Sequence, residues 1–115
     1  MKDQLFLLRP GFKNAGMGPL YCSDSAPVEG FLSFFPELRK LVDVHYLEFP
    51  RPRQELVAAL GEQHQGLPVL ILADKRKIKD AELEPERANG TSFFTSERSI
   101  RHYLSTQYGL PVASE

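Results

Sequence analysis

The 115-residue chain has one cysteine, Cys22, and so can form no internal disulfide and no cysteine-rich zinc site. It has almost no net charge, with 14 Lys and Arg against 15 Asp and Glu, so no global basic field points to nucleic acid or an anionic membrane. No apolar run approaches the length of a membrane span. The opening Met1-Lys2-Asp3-Gln4 lacks the apolar stretch of a signal peptide. Neither a Gly-rich phosphate fingerprint nor a G-x-S-x-G elbow occurs. His45, His64 and His102 share no ligand spacing, so no metal site is expected. The run Lys75 to Lys79 is followed by Asp80, Glu82, Glu84 and Glu86, which nearly cancels it and reads as a solvated excursion. These absences leave an ordinary globular balance, 42% hydrophobic and 25% charged, at a length suited to a single domain over residues 1–115. A lone thiol also favours a reducing, cytoplasmic setting.

Periodicity and breakers divide the chain. Gln4-Leu5-Phe6-Leu7-Leu8 reads as a strand buried on both faces with parallel neighbours. The segment from Pro10 to Leu20 reads as a long flexible loop. Ser25 is placed to cap a helix carrying Val28, Phe31, Leu32 and Phe35, which Pro36 breaks. Val42 to Phe49 reads as a second strand, joined to the first by a parallel crossover. A second helix carries Leu56, Val57 and Leu60 and stops at Gly61. Leu67 to Ala73 reads as a central strand with Pro68 at its start. Asn89-Gly90 marks a turn into a strand at Thr91 to Phe94. Ser96 caps a last helix with Ile100, Tyr103, Leu104 and Tyr108 on one face, ended by Gly109. Val112 to Glu115 is a tail.

The chemistry centres on Tyr21-Cys22-Ser23-Asp24-Ser25. A helix start favours a thiolate through its dipole and unpaired N–H groups, and a thiolate is the nucleophilic form of cysteine. The opposing reading is a buried, inert cysteine. Tyr21 can donate its hydroxyl to a thiolate or simply pack. Arg9, Lys13, Arg51 and Arg53 fall at the ends of strands where anions bind in α/β folds, but solvated surface is their default reading.

The element order β-α-β-α-β-β-α, with a cysteine opening the first helix and a proline opening the third strand, resembles the thioredoxin fold in its glutaredoxin or glutathione-transferase N-terminal-domain form. The stretches that carry the likeness are Tyr21 to Ser25, Leu67-Pro68-Val69-Leu70, and Thr95 to Ile100 leading to Tyr103-Leu104. Leu7 to Phe12, Phe34 to Leu38 and Phe49 to Arg53 are also similar to a small bacterial family of unknown function with that architecture. The resemblance implies an α/β, thioredoxin-like fold with a four-stranded mixed sheet flanked by helices. It implies a cis peptide at Leu67-Pro68 beside Cys22, leaving the Leu67 backbone free to pair with an extended thiol peptide. Ser96 and Glu97 occupy the stretch that receives the γ-glutamyl carboxylate of glutathione in the relatives; a serine at a helix start suits a carboxylate, whereas Glu97 adds a like charge. The dithiol motif would put a second cysteine where Ser25 stands. A serine cannot resolve a mixed disulfide, so Cys-x-x-Ser excludes an intramolecular dithiol cycle and leaves a monothiol route, with Ser25 hydrogen-bonding the thiolate, or none. No resident cofactor is implied, and glutathione enters as co-substrate. A complete transferase is not expected, because the all-helical second domain of that family does not follow within the 115 residues. The alternative is a non-enzymatic binding module or homodimer with a vestigial cysteine.

Overall fold

The computed structural model describes residues 1–114. It is an α/β structure in three layers, built on one mixed five-stranded sheet. Strand β1 (Gln4–Leu8) pairs in parallel with β4 (Asp43–Leu47) and antiparallel with β5 (Val69–Ile71). Strand β7 (Thr91–Phe94) pairs antiparallel with β5 and with β6 (Glu86–Ala88), giving the order β4-β1-β5-β7-β6. The expected parallel neighbours of β1 are therefore half right. Its parallel partner is β4, but its other neighbour runs the opposite way.

Both faces of β1 are buried because helices cover both sides of the sheet. Leu5 and Leu7 pack with Val28 and Leu32 of α1 (Ser25–Phe34), Leu38 of α2 (Leu38–Leu41) and Ile100, Tyr103 and Leu104 of α4 (Glu97–Tyr108). Phe6 faces the other way, onto Leu56 and Leu60 of α3 (Gln54–Leu60) and Phe93 of β7. A period of two along the strand thus feeds two cores, each of several fully buried aliphatic side chains contributing about 1.5–3 kcal/mol. The apolar run of β5 takes the middle position in the sheet, as its composition suggests.

Local signals end the helices where expected. Ser96 is the N-cap of α4, its hydroxyl accepting the Ser99 N–H at 2.9 Å. Gly109 takes the left-handed conformation after it, at φ 69°. Asn89 and Gly90, both at positive φ, close the β6–β7 hairpin. Pro36 separates α1 from α2. The tail over residues 111–114 is exposed and has no regular secondary structure, and Glu115 lies outside the described residues.

Three expectations are corrected. The segment after β1 is no loop: β2 (Phe12–Asn14) and β3 (Met17–Leu20) form a separate antiparallel hairpin. Gly18 makes its close approach feasible, since a Cβ there would lie 2.8 Å from the Phe12 carbonyl oxygen. The charged excursion contains β6, a fifth strand that raises the sheet above the expected four, and its Ile78 and Leu83 pack on the core. Ser25 does not cap α1, whose N-cap is Asp24. Among the described residues no helix is long and apolar enough to cross a membrane.

Candidate functional site

Cys22 lies at the turn that opens α1. Its carbonyl accepts the Ala26 N–H at 3.1 Å, closing the first helical turn. Its sulfur accepts the Ser25 N–H at 3.3 Å. The thiol therefore satisfies one of the backbone donors left unpaired in the first turn, where Asp24 makes no side-chain cap bond. Across from the helix start, the sulfur lies 3.9 Å from the Leu67 carbonyl oxygen, bringing together residues 45 apart in sequence. The Leu67-Pro68 peptide is cis, as are Gly18-Pro19 and Arg51-Pro52. Cys22 is partly exposed and so is not a sealed core thiol.

The Ser25 hydroxyl faces away from this chemistry. It is buried, and its Oγ accepts the Leu8 N–H at 3.1 Å. What Ser25 offers Cys22 is its backbone N–H. The side chain instead ties the end of β1 to the start of α1, satisfying a buried donor that would otherwise be costly.

The sulfur opens into a cleft of about 290 Å³ with mainly apolar walls, including Leu7, Pro10 and the exposed ring of Tyr21. Its far end holds a polar cluster that the sequence did not reveal. The Tyr46 hydroxyl donates to Glu29 Oε1, and Arg39 donates to Glu29 Oε2 at 2.8 Å and to the Tyr46 oxygen at 3.1 Å. Burial raises the Tyr46 hydroxyl above its ordinary value, and its bond to Glu29 adds to this. Arg39 is raised, chiefly by its bond to Tyr46. Arg9 lies over the Tyr46 ring, 5.8 Å from its centroid, and pairs with Glu48 at 2.8 Å. A signal for the cluster did exist: Glu29 lies one helical turn beyond Ser25. Nothing local, however, says that this turn meets Tyr46.

Ser96 and Glu97 do not line this cleft. The Ser96 hydroxyl is engaged as the α4 cap, and Glu97 pairs with Arg101 one turn along at 2.6 Å. The like charge expected at Glu97 is thus partly neutralised within its own helix. The three histidines lie apart: His45 stacks on Phe6, His64 meets the edge of Phe93, and His102 pairs with Asp80 at 2.9 Å.

Arg53 departs most from its expected role. It is buried rather than solvated, 7% exposed. Its guanidinium donates to the carbonyls of Gln65 at 2.6 Å, Phe49 at 2.6 Å and Glu48 at 3.2 Å. Its backbone N–H donates to Gln65 Oε1 at 2.7 Å. The site therefore comprises a thiol on a helix start, a backbone carbonyl from the segment before β5, and a cleft whose walls include Glu29 and Tyr46, both bonded to Arg39.

No curated protein and no solved structure matches the chain. One family does, over residues 2–112, and that span takes in every element from β1 to α4. The chain therefore belongs to the family described as Protein of unknown function (DUF3088).

Proposed function

We propose that this chain is a thioredoxin-like protein that carries out monothiol chemistry at Cys22 in a reducing, cytoplasmic setting. The fold assignment is supported by the order and directions of β4, β1, β5 and β7 and by the helices on both faces. The observation that carries the activity is the position of the Cys22 sulfur, held between the Ser25 N–H and the Leu67 carbonyl at the mouth of an open cleft. The Ser25 N–H gives the sulfur a donor, and the Leu67 carbonyl gives its S–H an acceptor. Leu67 precedes β5 and stands outside its ladder, which supports pairing of its backbone with an extended thiol peptide.

The Cys22 thiolate attacks one sulfur of a disulfide R–S–S–R′ in line with the other. A mixed disulfide forms on Cys22, and R′–S⁻ leaves and takes a proton from water. A second thiol, of the glutathione class, then attacks the R-side sulfur and releases the Cys22 thiolate. Tyr21 lines the approach, and Ser96 and Glu97 contribute at most to a more distant part of the peptide.

The test is intact-mass analysis after exposure to oxidised glutathione at neutral pH. The native protein should gain one glutathionyl group at Cys22 and lose it to reduced glutathione, and Cys22→Ser should gain none. A native protein that stays unmodified, while its urea-unfolded form is modified, would overturn the reading. A second reading, a binding module or homodimer that uses no thiol chemistry, is favoured by the exposed rings of Tyr21 and Phe34. It predicts a dimer in light scattering that Phe34→Ser dissociates, whether or not Cys22 reacts.

A further inference from the structure

Arg53 is a buried cation with no carboxylate partner among the described residues. A guanidinium satisfied only by carbonyls keeps its full positive charge, and burial strengthens the field of that charge. Gln65 is held twice, its carbonyl accepting from the guanidinium and its Oε1 from the Arg53 backbone N–H, and Gln65 in turn donates to the Glu62 carbonyl at 2.9 Å. Gln65 stands two residues before Leu67, whose carbonyl meets the Cys22 sulfur. The guanidinium thus joins the turn after β4 to the segment that approaches the thiol.

We infer that Arg53 is the positioning residue of the Cys22 site, holding the Leu67 segment against the sulfur and supplying an uncompensated positive charge that favours anionic disulfides and thiols as substrates. This rests on the thiol reading of Cys22 given above and names the substrate class. Electrostatics agree with the geometry. Burial lowers the Arg53 guanidinium from its ordinary range and Arg51 adds to the lowering, whereas negative charge on Cys22 opposes both.

The test compares alkylation of Cys22 by iodoacetate, an anion, with alkylation by neutral iodoacetamide. Their rate ratio cancels the thiolate fraction and the access to sulfur, leaving the local potential. In low salt the wild-type ratio should exceed that of Arg53→Met about threefold or more, and because the charge is buried part of that difference should persist in added salt. Arg53→Lys keeps the charge without the fork and should keep most of the ratio, while both of its rates change with the loosened Leu67 segment. Equal ratios in wild type and Arg53→Met overturn the inference, and Arg53→Gln makes the same comparison where Arg53→Met does not fold. If no glutathionyl adduct forms while the ratio responds to Arg53, the redox reading fails and the assignment of charge stands.

Discussion

Replacing Asp3 should unfold this protein more readily than any surface charge change, although Asp3 looks in the sequence like one polar residue in a terminal segment. Its side chain is fully buried. One carboxylate oxygen accepts the Ala73 N–H at 2.8 Å and the Arg76 Nε–H at 3.0 Å, and the other accepts the Tyr103 hydroxyl. The carboxylate thereby joins the chain start, the turn after β5 and the middle of α4. In Asp3→Ala, Arg76 is exposed enough to return to water, at 26% of its side chain. Tyr103 is not, and its buried hydroxyl is left without an acceptor, at about 1–3 kcal/mol. The part-buried Ala73 N–H adds about 1 kcal/mol. The total is about 3 kcal/mol, at the low end of the range for breaking a buried ion pair. That is a large share of a typical stability of about 5–15 kcal/mol and lowers Tm on the order of 10 °C. The assay is urea unfolding followed by far-UV circular dichroism, with equal m-values required before midpoints are compared. Tyr103→Phe alone should cost about 1 kcal/mol; in the Asp3→Ala background it should cost nothing or stabilise, because it removes the orphaned hydroxyl. A loss below about 1 kcal/mol for Asp3→Ala, or Tyr103→Phe costing the same in both backgrounds, would refute the argument.

Three further outcomes are expected. Burial raises the Tyr103 hydroxyl well above its ordinary value of 10.0, with the bond to Asp3 adding to this, and burial also raises Tyr108. The native state therefore holds these protons more tightly than the unfolded chain, so the associated stability is complete below about pH 10 and is lost as pH rises beyond it. Urea midpoints should fall across that window, and Tyr103 should ionise, by ultraviolet absorbance, only as the protein unfolds. Asp80 is held below its ordinary value of 3.8, first by the Glu82 N–H and then by His102, so its contribution is present above that value and is lost as pH falls. His102→Gln should move the Asp80 midpoint upward in an NMR titration, and an unmoved midpoint would exclude the pairing. Gly18→Ala puts a Cβ 2.8 Å from the Phe12 oxygen and 2.9 Å from Lys13 Cγ, at a backbone angle of +150°. It should open the β2–β3 hairpin at a cost of about 1–3 kcal/mol and speed tryptic cleavage after Lys13 several-fold, leaving the main sheet unchanged by circular dichroism.

The elements that could be read from the chain are those set by short-range physics. Gln4 to Leu8 is a strand because four consecutive apolar residues, Leu5 to Leu8, end at Arg9-Pro10-Gly11. The last helix runs from a serine cap to a left-handed glycine, both visible in the sequence. Cys22 could be placed at a helix start, and its Cys-x-x-Ser spacing excluded a dithiol cycle. Contacts between distant segments were not legible in this way. The hairpin at Phe12 to Leu20 has little apolar alternation, and the ring of Phe12 finds Phe49 at 4.5 Å only once the turn after β4 is in place. Asp3 and Arg53 look solvated because charge alone predicts exposure. Each is buried because tertiary contacts satisfy it, with a tyrosine, an arginine and an N–H around the carboxylate and three carbonyls around the guanidinium. The Ser25 hydroxyl was assigned to its own helix or to the thiol, and the nearby β1 backbone claimed it instead. The sequence by itself determined the thiol, its place on a helix and the missing second cysteine. Only the tertiary structure decided what faces the sulfur: the Leu67 carbonyl, the cleft ending at Glu29 and Tyr46, and the buried charge of Arg53 all come from segments that meet when the two cores close on the sheet.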